Sequence, residues 1–307
     1  MLQFSRYSPT VTRWILLPLF CVHAWGTTNA EEAAEGSAIE WLSDYEVAVR
    51  LAKQSGRMLL VCIEDVDSQS SRRESAYPAD PWSRWIEEEG ENFEEIRQKY
   101  LFCKVAENER VNINGKTSEI LQHEAFIHMQ NSTGVTIFDF TNWGDAIQDR
   151  VVSVYPVATT RKLSPAALKA MVRLPRGTLT QRTLVLALAL HPQSPQSILG
   201  DWNPMLAKAA EGHSTHQAEL KKQGHQGWQN RFQRLLDQLG QNSKPKEVCA
   251  ESWPGQSLLE AAEECVASWH QSPGHWKAVS SKQAAYAYDM KQGSNGVWYA
   301  TGILATP

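Results

Sequence analysis

The chain has 307 residues, of which 42 % are hydrophobic and 21 % charged, with a formal net charge of −4. That length suggests two domains with filled cores. A mildly acidic balance with no basic face argues against a nucleic-acid partner held by its phosphates.

Residues 1–30 place Arg6 and Arg13 before the apolar run Trp14 to Trp25 and end in the small-residue stretch Thr28-Asn29-Ala30. This is the pattern of a secretory signal peptide, and it predicts a secreted or periplasmic protein. A retained anchor is the alternative, but the run is short for a membrane span. No second apolar span follows, so no transmembrane segment is expected after signal removal. Cys21 follows Pro18-Leu19-Phe20, which is not a lipoprotein cleavage site. Removing two arginines and no acid takes the net charge from −4 to −6. Export implies an oxidising compartment, with Cys62, Cys103, Cys249 and Cys265 remaining.

Residues 31–37 are acidic and small, and are expected as a disordered lead-in. Tyr45, Ala48, Val49 and Ala52 share a helical face that Gly56 closes. Met58 to Ile63 reads as a strand, Trp82 to Tyr100 as a helix, and Leu101 to Ala106 as a second strand. Asn114-Gly115 predicts a turn and Ser118 to Met129 a helix. Gly134 to Phe140 and Val151 to Val157 are further strands, and Ser164 to Val172 is a closing helix.

The order β-α-β-α-β-β-α after a leading helix resembles the thioredoxin fold. The opening W-L-x-x-Y-x-x-A-x-x-x-A-K-x-x-x-R-x-x-L-V, from Trp41 to Val61, is similar to exported thioredoxin-like proteins. The redox pair of that family is missing: Glu64 to Ser71 holds no cysteine. The proline expected before the third strand is also missing, since Gly134-Val135-Thr136-Ile137 stands there. Without a thiolate pair there is no thiol exchange. Residues 38–175 therefore read as a redox-inactive scaffold or binding module. Cys62 and Cys103 fall within predicted strands, as buried thiols or as a cross-strand disulfide.

Arg173 to Gly177 reads as a linker, and residues 176–307 as a second domain. Helices are expected at Thr178 to Leu190, Met205 to Lys222 and Trp228 to Leu239, with a break at Gly224-His225-Gln226-Gly227. Lys246 to Trp253 leads into a helix marked by Leu258, Ala262, Cys265 and Trp269. Ser272-Pro273-Gly274 cuts that helix and holds His275 on a constrained corner. An Asn295-Gly296 turn precedes the β-rich run Gly296 to Leu304.

A helix ending in W-x-x-S-P-G-H, followed by a terminal strand with paired aromatics, resembles the CAP family (cysteine-rich secretory, antigen 5 and pathogenesis-related proteins). The closest likeness is to its bacterial members, which carry SPGH. The resemblance implies an α-β-α sandwich and a cleft of two histidines with acidic residues, which holds zinc in some members. His275 matches the SPGH histidine, and His225 the first cleft histidine. Glu247 stands where the family has G-E-N, although Val248 replaces the asparagine and Lys246 the glycine. Glu251 is the reserve acid, and Gln271 and Ser272 occupy the place of the second one. Two neutral imidazoles and a carboxylate suit zinc with an open position at His225, Glu247 and His275; without metal the same set is a polar cleft.

The other histidines carry blander readings. His213 and His216 lie three apart on a helix, one packed and one solvated. His270 reads as surface or packing. His123-Glu124 with His128 misses H-E-x-x-H by one residue and receives no metal role. Cys249 and Cys265 either form a disulfide or remain two buried thiols. Trp253, Trp269, Trp276, Trp298 and Tyr299 read as core or cleft wall.

The resemblance thus implies α+β architecture and a non-catalytic cleft for a lipid, peptide or wall-derived cell-envelope ligand. The alternative is a metal-assisted hydrolase built on the same His/Glu cleft, with Glu251 or Ser272 assisting.

Overall fold

Met58 to Ile63 is an unbroken apolar run, and it forms the central strand of a sheet covered on both faces. The computed structural model describes residues 39–65, 91–113, 115–141, 150–157, 163–240 and 242–306. Residues 38–307 form one compact unit. The expected signal peptide and lead-in lie outside the described residues, as do residues 66–90, which include the start of the helix expected from Trp82.

Strand β2 (Met58–Glu64) pairs in parallel with β3 (Tyr100–Ala106) and antiparallel with β6 (Gly134–Asp139). Strand β1 (Trp41–Leu42) extends one edge and β7 (Val151–Pro156) the other, giving the order β1-β3-β2-β6-β7. Helix α1 (Tyr45–Ser55) covers one face, packing Tyr45, Ala48 and Ala52 with Leu59 and Val61. Helices α2 (Glu91–Lys99) and α3 (Pro165–Met171) cover the other, packing Phe93, Ile96 and Leu168 with Leu60. A strand buried on both faces has no polar side to alternate with, hence the continuous run.

One expectation fails in this half. Ser118 to Met129 is not one helix. Strands β4 (Arg110–Ile113) and β5 (Lys116–Glu119) form a hairpin, followed by short 3-10 turns at Ile120–Gln122 and Glu124–Met129. His123 separates the two turns, its Nδ1 accepting from the Ala125 amide at 3.1 Å. Of the two readings of Cys62 and Cys103 the buried thiols hold, and no disulfide joins them. Register pairs Cys103 with Val61 and Cys62 with Lys104. The thiols therefore leave on opposite faces, Cys62 towards α2 and α3 and Cys103 towards α1.

The second sheet has the order β8-β10-β11-β9, from β8 (Asp201–Trp202), β9 (Lys244–Glu251), β10 (Ala285–Gln292) and β11 (Trp298–Thr306). The sequence reading placed only the last of these. Helices α5 (Pro204–Leu220) and α6 (Trp228–Leu239) cover one face, where Leu206, Ala210 and Leu235 pack on Ala287 and Ile303. Helices α4 (Leu179–Ala189), α7 (Leu258–Gln271) and α8 (Pro273–Ser280) lie on the other face, with Cys265 and Trp269 in the same cluster as Val248 and Tyr288. Helix α4 is buried on nearly every side, so its sequence lacks a polar stripe. Its Leu184 and Leu188 belong to an apolar cluster that runs through both sheets.

Candidate functional site

Strand alternation sorts β9 into two faces. Val248 and Ala250 enter the core shared with α7, whereas Glu247 and Cys249 point towards α5 and α6. The Glu247 side chain is 1 % exposed. A carboxylate at that depth needs partners, and it has three.

The first is Arg231, on the first turn of α6. Its Nε donates to Oε2 at 2.8 Å and its Nη2 to Oε1 at 2.9 Å. This bidentate fork is the strongest arrangement available to a carboxylate. Nη1 of Arg231 also donates to the Gln226 carbonyl at 2.7 Å, tying the head of α6 to the loop before it.

The second partner is His225, whose Nδ1 lies 3.0 Å from Glu247 Oε1. The carboxylate can only accept, so Nδ1 carries the proton and Nε2 remains an acceptor in the neutral ring. This side chain is 42 % exposed. It sits on the five-residue turn Gln223 to Gly227, where Gly224 has φ +152° and Gly227 φ +68°, conformations that suit glycine.

The third is His213, buried on α5, with Nε2 3.7 Å from Glu247 Oε1. Its main bond is 2.8 Å from Nε2 to the Gly224 carbonyl. A carbonyl accepts, so Nε2 is the protonated nitrogen. One helical turn along, Gln217 Oε1 accepts from the Gly224 amide at 3.0 Å, and Gln217 Nε2 donates to Thr301 at 2.9 Å. Two buried side chains of α5 therefore hold both backbone groups of Gly224, and with them the turn that presents His225. Burial holds the His213 imidazole below its ordinary pKa, so it remains neutral.

His275 reaches the same place from the opposite side. Pro273 does not merely end a helix: it occupies the first position of α8, where its missing N–H costs nothing. Ser272 alone separates α7 from α8, and His275 falls in the first turn. Its ring centroid is 5.7 Å from that of His225, at 47°. Burial, and then the neighbouring His225, push the His275 pKa down. His225 thus stands beside both Glu247 and His275. Ser272 caps α8 by position, its carbonyl accepting from Trp276 N at 2.8 Å. Glu251 lies at the exposed end of β9, away from the fork.

This arrangement does not make a zinc site. His225, Glu247 and His275 do not bring three ligand atoms within 4.8 Å of one another; among the described residues His213, Glu247 and Cys249 alone do. His213 Nε2 spends its proton on Gly224 there, and Arg231 occupies both carboxylate oxygens. The donor set does not fit the ion.

Nor do the residues form a cysteine triad. Cys249 Sγ is 3.7 Å from His225 Nδ1, the nitrogen already given to Glu247. Burial and the Glu247 charge raise the Cys249 pKa, which disfavours the thiolate. Of the two readings of Cys249 and Cys265, the buried thiols hold and the candidate disulfide is absent. Cys249 faces α5 and α6, while Cys265 lies on α7 behind the sheet.

Other sequence readings are sorted by burial. His213 is buried and His216 exposed. His270 packs against His191 and Trp276, with centroids at 5.3 Å and 4.7 Å. Trp269, Trp298 and Tyr299 are core, but Trp253 is 67 % exposed.

Beside the site lies a second polar group that sequence reasoning missed. Asp289 on β10 is fully buried; Thr180 Oγ1 donates to it at 2.9 Å, and Ser214 Oγ donates as well. Lys291 Nζ stands 3.7 Å away, itself 3.0 Å from Glu211. Burial pushes the Asp289 carboxyl up to about 6. The alternation in Ala285-Tyr286-Ala287-Tyr288-Asp289 was the available signal for a strand with a buried acid.

No known family model matches the chain, and no curated protein matches it.

Proposed function

We propose that this is an exported binding protein whose residues 176–307 form a CAP-like domain with a non-catalytic cleft. Residues 38–175 are a thioredoxin-like module without its redox cysteines. The order β1-β3-β2-β6-β7, parallel on one side and antiparallel on the other, supports the second reading. The helix-covered second sheet, with His225 beside both Glu247 and His275, supports the first.

The observation that favours binding over hydrolysis is the Arg231 fork. A general base or metal ligand needs an available carboxylate, and Glu247 is buried and neutralised by the guanidinium, which engages both of its oxygens. Two part-exposed imidazoles remain, and these recognise a ligand by hydrogen bonds. A small lipid, peptide or wall-derived molecule with a polar end meets that requirement.

Purified full-length protein should contain no stoichiometric zinc and hydrolyse neither ester nor peptide probes. His225→Ala and His275→Ala should both reduce retention of envelope-extracted ligands in native mass spectra, His275→Ala without lowering the melting temperature and His225→Ala with some loss, because Glu247 then loses one of its partners. Stoichiometric zinc that disappears in His275→Ala would overturn this reading in favour of the metal-assisted hydrolase.

A further inference from the structure

A cleft of about 760 Å³ is lined from both halves of the chain, and none of His225, Glu247 and His275 lines it. Val154 of β7 and Leu179, Leu258 and Leu259 at the starts of α4 and α7 give it an apolar floor. Its size is that of a site for a small ligand or a short peptide.

Three of the four most exposed large apolar side chains among the described residues belong to segments that line this cleft. Ile127, 68 % exposed, is part of its wall. Val157, 71 % exposed, follows the lining Pro156, and Trp253, 67 % exposed, stands two residues before the lining Gly255. Apolar surface gathered in this way marks an interaction site. The loop that carries Trp253 is fixed in advance. The Trp253 amide donates to Gln256 Oε1 at 2.9 Å, and its carbonyl accepts from Ser252 Oγ at 2.9 Å. The Gly255 amide donates to the Gly296 carbonyl at 3.1 Å, and Trp298 Nε1 to the Gln256 carbonyl at 3.2 Å. A partner that covers the indole therefore has no loop to order, and a rigid tryptophan is the kind of side chain on which interfaces anchor.

The polar lining narrows the class of ligand. Lys291 and Glu260 are both engaged, Lys291 with Glu211 at 3.0 Å and Glu260 with Ser257 at 2.7 Å. His128 is mostly neutral at pH 7. What the wall offers is uncharged: the Gln130 and Gln292 amides, which can each donate and accept. The Gln292 amide is weakly committed, with a 3.5 Å contact from Nε2 to the Gly296 carbonyl. An acyl chain needs polar partners at one end only, and a sugar offers little apolar surface. An extended peptide presents backbone N–H and C=O groups between apolar side chains, and so meets both demands along its length. We propose that this cleft binds an uncharged, extended apolar peptide. Its side chains pack on the leucine floor and against Ile127 and Trp253, and its backbone pairs with the Gln130 and Gln292 amides. The site is separate from the imidazole cleft and does not rest on it.

An array of hexapeptides of varied composition, probed with the purified full-length protein, tests the assignment. Apolar, uncharged peptides should be retained and highly charged ones should not. Fluorescence polarisation with the best-retained peptide then gives its Kd. The double variant Ile127→Ser/Trp253→Ser changes two exposed side chains and should melt like the parent, yet bind that peptide weaker by roughly tenfold or more. Methylating the peptide's backbone nitrogens should also weaken binding, whereas His275→Ala should leave it unchanged. An array that retains no peptide, or chiefly charged ones, would overturn the assignment, as would equal binding by the double variant or a loss in His275→Ala. Capture of phosphatidylcholine vesicles by the parent and not by the double variant would make the cleft a lipid site and overturn it as well.

Discussion

Arg231 and Glu247 meet as a two-pronged fork between α6 and β9, with Nε 2.8 Å from Oε2 and Nη2 2.9 Å from Oε1. Their side chains are 11 % and 1 % exposed, so neither charge has water to fall back on. Arg231→Met removes the cation and leaves a buried carboxylate behind. The expected loss is about 3–5 kcal/mol in urea unfolding. Adding Glu247→Gln should recover part of it, because the uncompensated charge goes too. A loss under about 1 kcal/mol, the value of a surface pair, would mean that the fork does not hold in solution.

Gln217 tests how the His225 turn is held. Gln217→Leu keeps the bulk but removes the acceptor for the Gly224 amide and the donor to Thr301. The unmet groups should cost about 1–3 kcal/mol. Amide exchange at Gly224 should quicken by about tenfold or more, the response to roughly 1.4 kcal/mol of lost local protection. Unchanged exchange at Gly224 would show that His213 alone holds the turn.

The residues that meet at the site were legible where a short motif fixed them. Ser272-Pro273-Gly274-His275 announces a corner, and glycines on both sides of His225 announce a turn. Arg231 was not legible as a partner of Glu247: the two are sixteen positions apart and meet only because α6 packs along β9. Whether the donors were open to a metal was not legible for the same reason, since the sequence names the donors but not the guanidinium that engages Glu247. In the fold, apolar runs such as Met58 to Ile63 gave the buried strands directly. Strands β9 and β10 escaped because Lys246, Glu247, Asp289 and Lys291 interrupt their apolar character. Tertiary partners, not propensity, make those positions tolerable.

The four thiols give a direct readout of the strand faces. Cys62 and Cys103 leave β2 and β3 on opposite sides, and Cys249 and Cys265 lie on opposite sides of the second sheet. Alkylation under native conditions should label none of the four quickly, since all are buried. In denaturant without reductant all four should be labelled, and prior reduction should add nothing to the mass. A mass increase only after reduction would place a disulfide where alternation forbids one.

Asp289 makes stability depend on pH in an unusual direction. Burial raises its folded pKa to about 6 from an ordinary value of 3.8, so between those values the folded state holds the proton more tightly. Stability from this group is full below the ordinary value and is lost as pH rises through about 6, by about 3 kcal/mol for two pH units. His213 and His275 act oppositely: their lowered pKa values take stability away as pH falls below about 6.5. The raw pH profile mixes the two, so the comparison with Asp289→Asn isolates the carboxyl. Asparagine keeps the shape, offers its one oxygen to Thr180 or Ser214 and its amide N–H to the other hydroxyl, and cannot ionise. Between pH 4 and pH 7, the stability of Asp289→Asn relative to the parent in urea unfolding should rise by about 2–3 kcal/mol. A difference that stays flat across that range would mean that Lys291 and the two hydroxyls stabilise the carboxylate fully, and that its burial carries no proton.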